Sequence, residues 1–368
     1  MTDTVQFQEL PTADGRYFGR VILNAPRAMN ALGLDMIQAI DARLDQWLDD
    51  PRLVAIWLEG AGGKALCAGG DVIALHASMV KYSGQARNPF VEEYFAAEYR
   101  LDYRLHTCTK PVIAWAEGLV MGGGMGLMQA SDFRLVTGNS RLAMPEISIG
   151  LFPDVGASWF LNRLPGKTGL FLGLTGVHLN ARDALDLGLA DRFIDDDRDT
   201  LLQALLAGDY SDDDGDNHRR LYRALRQHAA RPNGLDGAVL SHLDTINRLC
   251  DGADITEVVD NILACKQCDG WLDRARGTLA KGCPQTAHLV WQQLERGRHR
   301  SLAEVFRMEW CLAVQCGQHT DFREGVRALL IDKDGAPRFR HRSVAEVPAG
   351  YIDEFFVNPL PKHPLADL

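Results

Sequence analysis

Apolar positions follow two rhythms in the first half of the chain. Apolar runs read as strands: Leu53-Val54-Ala55-Ile56-Trp57-Leu58 and Pro111-Val112-Ile113-Ala114-Trp115-Ala116 as buried ones, and Phe18-Gly19-Arg20-Val21-Ile22-Leu23 and Phe133-Arg134-Leu135-Val136, each interrupted by one arginine, as two more. Between the first two, residues 32–49 space Ile37, Ile40, Leu44, Trp47 and Leu48 along one helical face. Asn24 to Asn30, with Pro26, reads as a turn, and Gly122–Gly124 opens an apolar helix over Met125–Ala130. Strands alternating with helices predict an α/β fold with parallel pairing. Residues 76–108 carry Phe90, Tyr94, Phe95, Tyr99 and Tyr103 at three- to five-residue spacing. That spacing predicts an amphipathic helix over the core, one that would also wall a ligand pocket.

The character changes after residue 195. Asp195–Asp197 and Ser211-Asp212-Asp213-Asp214-Gly215-Asp216 are acidic connectors. The second resembles a calcium loop only loosely, because Tyr210 holds the first ligand position and Leu221 the place of the bidentate Glu, so it reads as a solvated loop. Residues 217–330 are helical in pattern, with breaks near Pro232-Asn233-Gly234 and Gly282-Cys283-Pro284, and 331–368 are richer in Pro and charge. The expected division is 1–195 for an α/β core and 196–368 for a mostly helical C-terminal region.

A formal charge of −10 over 368 residues speaks against nucleic acid or an anionic membrane as partner, but not against a small anion held by a local cluster of cations. No apolar run approaches the roughly 20 residues of a membrane span, and the first residues resemble neither a signal nor a transit peptide, so a cytoplasmic protein is expected. The eight cysteines show no disulfide framework. Cys265-x-x-Cys268 has no second pair and no His at ligand spacing, so it reads as helix packing and no metal is expected. No Walker motif, His-Glu-x-x-His or Gly-x-Ser-x-Gly occurs. The glycine run at 122–126 is not a dinucleotide fingerprint, and His76, His106 and His288 fit no triad order.

What remains are two glycine turns, Cys67-Ala68-Gly69-Gly70-Asp71 and Met121-Gly122-Gly123-Gly124-Met125-Gly126, and two carboxylates in apolar settings, Glu146 and Asp154. Without a Cβ, glycine lets backbone N–H groups approach a ligand closely. Such turns plus two carboxylates are the parts needed to polarise a carbonyl and attack it.

In order along the chain, Asn24-x-Pro26-x-x-Met29-Asn30-Ala31-Leu32, Cys67–Asp71, Lys110–Ala114, Gly118, Gly122–Gly124 and Met144-Pro145-Glu146 resemble the crotonase (enoyl-CoA hydratase/isomerase) superfamily. Glu146-Ile147-x-Ile149-Gly150-Leu151-Phe152-Pro153-Asp154-Val155-Gly156, Ser301-Leu302-x-Glu304-Val305, Met308-Glu309 and Asp321–Asp334 are similar to its 3-hydroxyisobutyryl-CoA hydrolase branch. The resemblance implies repeated ββα units with a mostly helical C-terminal region. It implies hydrolysis of a short-chain 3-hydroxyacyl-CoA thioester, as in valine breakdown, with CoA entering as part of the substrate and no separate cofactor. Hydratases of the superfamily resemble one another in two catalytic glutamates. Here the first position is Gly126, which transfers no proton, and Asp154 stands where hydratases typically carry a glycine. Other lyase or isomerase chemistry on acyl-CoA is the alternative, and a non-enzymatic acyl-CoA- or RNA-binding relative a third reading.

By the same resemblance the amides of Gly70 and Gly123 form the oxyanion hole. Glu146 is the catalytic carboxylate, as general base or as nucleophile forming a mixed anhydride, and Asp154 orients it, the water or the substrate hydroxyl. Glu98 aligns with a polar substrate contact, although a solvent-facing Glu beside Arg100 accounts for it equally. Coenzyme A would lie near Arg27-Ala28-Met29 and the Cys67–Gly70 segment, including Ala68 and Gly69. Arg27, Lys64 and Lys81 are interchangeable candidates for its phosphates. Superfamily members resemble each other in trimer-based assembly, so a homo-oligomer stays open; the extended C-terminal half would replace a subunit contact.

Overall fold

Four apolar runs become four neighbouring strands. In the computed structural model, which describes residues 4–266, 269–348 and 350–368, eleven strands are formed among the described residues: β1 (Val5–Pro11), β2 (Tyr17–Leu23), β3 (Leu53–Gly60), β4 (Ala65–Cys67), β5 (Val112–Ala116), β6 (Leu119–Met121), β7 (Phe133–Val136), β8 (Arg141–Ala143), β9 (Leu179–Asn180), β10 (Arg192–Ile194) and β11 (Ala229–Ala230). One sheet has the order β1-β2-β3-β5-β7-β10-β11 and a second the order β4-β6-β8-β9. From β2 through β10 the first sheet is parallel, as the helix–strand alternation predicts. β3 is buried at all eight positions, the mark of a strand covered on both faces.

The chain divides into two units, each discontinuous in sequence. The first takes residues up to 70, 101–142 and 179–237 and holds both sheets. Its core joins Phe18, Val54, Trp57, Ile113, Trp115 and Leu135 of the large sheet to Leu201, Leu205, Leu221 and Leu225. Those leucines come from the helices Arg198–Leu206 and Asp214–His228. Residues 196–237, expected with the C-terminal region, therefore group with the sheets, because these two helices bury their apolar faces against them. The acidic loop before the second helix has a capping role: Asp213 accepts from Asp216 N at 2.5 Å.

The turn 24–30 is fastened by Asn30. Asn30 is wholly buried at φ +57°, accepts from Ala25 N at 3.0 Å and donates to Ala61 O and Ala65 O at 3.0 and 2.9 Å. Asn tolerates the left-handed region better than most residues, and its amide satisfies three backbone groups at once.

The second unit takes 71–100, 143–178 and 238–368 and is built from helices and turns. Residues 76–108 are not one helix but two, Val72–Lys81 and Pro89–Thr107, broken at Ser83-Gly84 where no apolar position sustains the period. The aromatic stripe forms a chain of rings from Phe90 through Tyr94, Phe95 and Tyr99 to Phe306, with neighbouring centroids 5.4–6.3 Å apart. Phe306 sits in the helix Leu302–Gln318, opened by a reciprocal Ser301–Glu304 capping box and buried around most of its circumference. Two stretches far apart in sequence meet where Ile149–Gly150 crosses the Thr320–Val326 helix: a Cβ on Gly150 would stand 2.5 Å from Asp321 O, and one on Gly325 2.3 Å from Ile149 O. The seven cysteines among the described residues are free thiols; Cys268 lies outside the described residues.

Asn30→Ala leaves three backbone groups unpaired and puts alanine at positive φ. Chemical denaturation should show a loss of about 2–4 kcal/mol. A change within about 0.5 kcal/mol, the scale of an ordinary surface substitution, would mean that Asn30 does not hold the turn.

Candidate active site

The two glycine turns belong to the first unit and leave the same end of one sheet. Cys67–Gly70 follows β4 and Gly122–Gly124 follows β6, and β4 and β6 are parallel neighbours. Sequence reasoning attaches the second turn to the run ending at Ala116; the structure inserts β6 between them, a strand too short to carry a period. The turns touch: a Cβ on Gly124 would stand 2.2 Å from Cys67 O, so only glycine fits there. Gly69 holds φ +116°, again open to glycine alone. Gly123 is the first residue of the helix Gly123–Gln129. Its N–H is one of the donors that a helix leaves without an intrahelical acceptor. Gly70 bridges to Leu32 across the turn.

Four expected CoA contacts gather around the first turn. Ala68 N donates to Met29 O at 3.0 Å and Leu32 N to Gly69 O at 2.8 Å, lacing the 26–32 segment to the glycine turn. Arg27 and Ala28 lie exposed in the short 3₁₀ turn Pro26–Ala28. Lys64 is exposed in the same unit; Lys81 ends a helix of the second unit, its ammonium 5.1 Å from the Tyr82 ring centroid.

The carboxyl groups belong to the second unit. Glu146 opens the 3₁₀ turn Glu146–Ser148, which Cys283 N pins through Ile147 O at 2.8 Å. Glu146 and Asp154 are each 4% exposed. Glu146 Oε2 is buried with no hydrogen-bond partner among the described residues, whereas Tyr99 Oη donates to Asp154 Oδ2 at 2.6 Å. Burial pushes Glu146 well above the usual carboxylate range, and the Asp154 charge pushes the same way. Burial also lifts Asp154, to about 6, against the opposing pull of the Tyr99 hydroxyl. Asp154 therefore ionises before Glu146, where burial first and the Asp154 charge second favour the protonated form. Such a pair has one carboxylate to act as base or nucleophile and one acid to give a proton back.

Glu98 is 3% exposed, so it is not a solvent-facing residue of its helix; its charge is among those that raise the Tyr99 hydroxyl, after burial, Asp154 and Glu309. Tyr99 itself escapes sequence reasoning because it sits within an aromatic stripe whose spacing is explained by packing alone. Glu309 escapes it too: a Glu in an apolar helix gives no role until its partners are known. Its buried carboxylate accepts from Gly156 N at 2.7 Å and Ser158 N at 2.8 Å. Burial lifts it to about 8 against those two N–H groups. Among the described residues no three His, Cys, Asp or Glu side chains gather as a metal set. His106, at about 4, is held neutral by burial, and His288 bonds to Val344 O at 2.9 Å.

The sequence profile of the enoyl-CoA hydratase/isomerase family matches residues 18–356. Among curated proteins, the chain is 36% identical to "3-hydroxyisobutyryl-CoA hydrolase, mitochondrial" of Xenopus laevis, over 92% of this chain and 86% of that protein. It is 37% identical to the protein of that name in Danio rerio, with the same coverage. Among solved structures, an enoyl-CoA hydratase from Rhodobacter sphaeroides 2.4.1 is similar at 30% identity and TM-score 0.79, covering 96% of this chain and 97% of its own. A carnitinyl-CoA dehydratase from Mycobacterium thermoresistibile is similar at 28% identity and TM-score 0.83, covering 97% of both chains.

Asp154 has a pH signature in stability. Burial lifts its carboxyl from the ordinary aspartate range to about 6. Its protonated form is thus favoured by folding, and the stability it lends is present below about pH 4 and lost as pH rises through about 6. Asp154→Asn keeps an acceptor for Tyr99 and removes the titration. At pH 7.5 it should unfold about 1–3 kcal/mol later than the parent, the advantage shrinking toward pH 4. Parent-like pH dependence in thermal or denaturant unfolding would contradict the burial assignment.

Proposed function

The chain belongs to the enoyl-CoA hydratase/isomerase family, and we propose that within it this protein hydrolyses a short-chain 3-hydroxyacyl-CoA thioester, first of all 3-hydroxyisobutyryl-CoA, to the free acid and CoA. The carrying observation is the carboxyl inventory: Glu146 and Asp154 are both buried, while Gly126, buried inside the Gly123–Gln129 helix, stands where the resemblance expects the first of a hydratase's two glutamates. Syn addition of water across a double bond by two glutamates lacks one of them. Thioester cleavage needs a single nucleophilic or basic carboxylate and an acid–base neighbour. The names of the curated relatives support the same substrate.

In this reading the thioester oxygen takes the amides of Gly70 and Gly123, each donor lowering the barrier by about 3 kcal/mol. Glu146 either attacks the carbonyl carbon, expelling the CoA thiolate and leaving a mixed anhydride for water to cleave, or draws the proton from a water that attacks instead. Glu146 acts in its ionised form, and Asp154, ionised first, takes up that proton and returns it. Arg27, Ala28, Ala68 and Gly69 would contact coenzyme A, and Glu98 a polar group of the acyl chain. No separate cofactor enters, because CoA arrives with the substrate. A homo-oligomer is proposed from the family resemblance. The cytoplasm is the location proposed from the sequence, whereas the relatives' names read mitochondrial; among the described residues no helix is long and apolar enough to cross a membrane.

Hydration, dehydration or isomerisation of an acyl-CoA is the second reading, favoured by the names of the solved structures. Gly126 separates it from the first. Gly126→Glu should impair thiol release and bring in slight hydration of an enoyl-CoA, because it restores the carboxyl group that the resemblance gives a hydratase at this position. Undiminished thiol release would show that position 126 is remote from the chemistry.

Glu146→Gln keeps the shape and removes both basicity and nucleophilicity. Thiol release from 3-hydroxyisobutyryl-CoA, followed with a thiol reagent, should fall by about 10³-fold or more, with CoA-ester binding nearly unchanged. Turnover within a few-fold of the parent would take Glu146 out of the reaction.

A further inference from the structure

Asp154 stands on a turn that the backbone does not favour. Val155 holds φ +52° and Gly156 φ +87°. For a β-branched residue the left-handed region is a true outlier, sustained only where surrounding contacts over-determine it. Three side chains from three helices of this unit supply those contacts. Tyr99, from Pro89–Thr107, donates to the Asp154 carboxylate at 2.6 Å. Gln293, wholly buried in Pro284–Gly297, donates from Nε2 to Pro153 O at 2.7 Å. Glu309, wholly buried in Leu302–Gln318, accepts from Gly156 N and Ser158 N at 2.7 and 2.8 Å, one N–H for each carboxylate oxygen.

The Glu309 pair of bonds is the two-pronged one. It fixes the peptide on the far side of Val155 and the first turn of the short helix Ala157–Phe160 together. Gly156 adds a steric wall to the same arrangement, since a Cβ there would stand 3.3 Å from Phe306 Cζ on the Glu309 helix. A buried carboxyl group is expensive to desolvate, and bonds from two backbone N–H groups, one to each oxygen, offset part of that cost. Glu309 has no exposed surface on which to serve solubility. Among the described residues, its two oxygens accept from the turn that follows Asp154.

We infer that Glu309 is a positioning residue for the reaction: it clamps the strained Val155–Gly156 turn so that the Asp154 carboxylate stays on the Tyr99 hydroxyl. Glu309 touches no substrate in this account. It acts through Asp154, and its kinetic signature rests on the hydrolase reading above.

Glu309→Gln tests the clamp. The amide keeps one acceptor but turns an NH₂ group toward a backbone N–H donor, so one prong is lost and one donor is opposed. The variant should lose tenfold or more in kcat with KM within about threefold of the parent, the pattern of a misplaced catalytic group rather than a lost binding contact. Val155→Gly added to it supplies a residue that adopts φ +52° without strain, and should recover at least threefold of the lost kcat, or the folded state itself if Glu309→Gln does not fold. A role confined to general stability predicts further loss from that second truncation instead. A crystal structure of Glu309→Gln needs no substrate and should show Asp154 moved off Tyr99. Parent-like kcat, no recovery by Val155→Gly, or an unmoved turn would each overturn the clamp. Absence of thiol release from the parent would overturn the hydrolase reading, and the crystal structure alone would then decide the clamp.

Discussion

The hydrogen bond from Tyr99 to Asp154 decides how the carboxyl pair behaves. Both partners are buried, so the 2.6 Å contact acts in a medium that screens it poorly. Without it, burial would raise Asp154 further toward Glu146, and two carboxyls with like environments would compete for one proton. With it, Asp154 becomes the more acidic and Glu146 the stronger base once its proton is gone. Division of labour between chemically similar groups thus arises from one phenol hydroxyl donated to one of them and an empty hydrogen-bonding position on the other.

Placing three carboxyl groups in a dry interior destabilises the fold. Glu146, Asp154 and Glu309 are all raised by burial, so each weakens the folded state as pH rises through its range. Apolar packing offsets this: the ring chain from Phe90 to Phe306 and the almost wholly buried Leu302–Gln318 helix. Opposition between local stability and useful chemistry is what physical reasoning expects at a functional site.

Much of this was legible in the sequence, for identifiable reasons. The runs at Phe18, Leu53, Pro111 and Phe133 were readable because strands covered on both faces are apolar at nearly every position, Arg20 and Arg134 being the exceptions, and the Leu34–Leu48 helix because its stripe keeps its period over four turns. The strands β4, β6, β8 and β9 were not, since two or three residues hold no period. Glu146, Asp154 and the glycine turns stood out as carboxylates and glycines in apolar surroundings. Tyr99 did not, and Glu309 stood only in the Met308-Glu309 match with no role attached, because their meaning lies in partners 55 and 153 residues away. Residues 196–237 looked like the start of a helical region and group instead with the sheets, a matter of which face finds a partner.

The proposed chemistry uses one catalytic glutamate in place of two, and the unmodified protein tests it directly. Purified protein is offered 3-hydroxyisobutyryl-CoA with a thiol reagent and, in parallel, crotonyl-CoA with enoyl absorbance recorded. Thiol release well above any loss of enoyl absorbance is the predicted result. Efficient hydration of crotonyl-CoA, with no thiol released from the 3-hydroxyacyl ester, would contradict it.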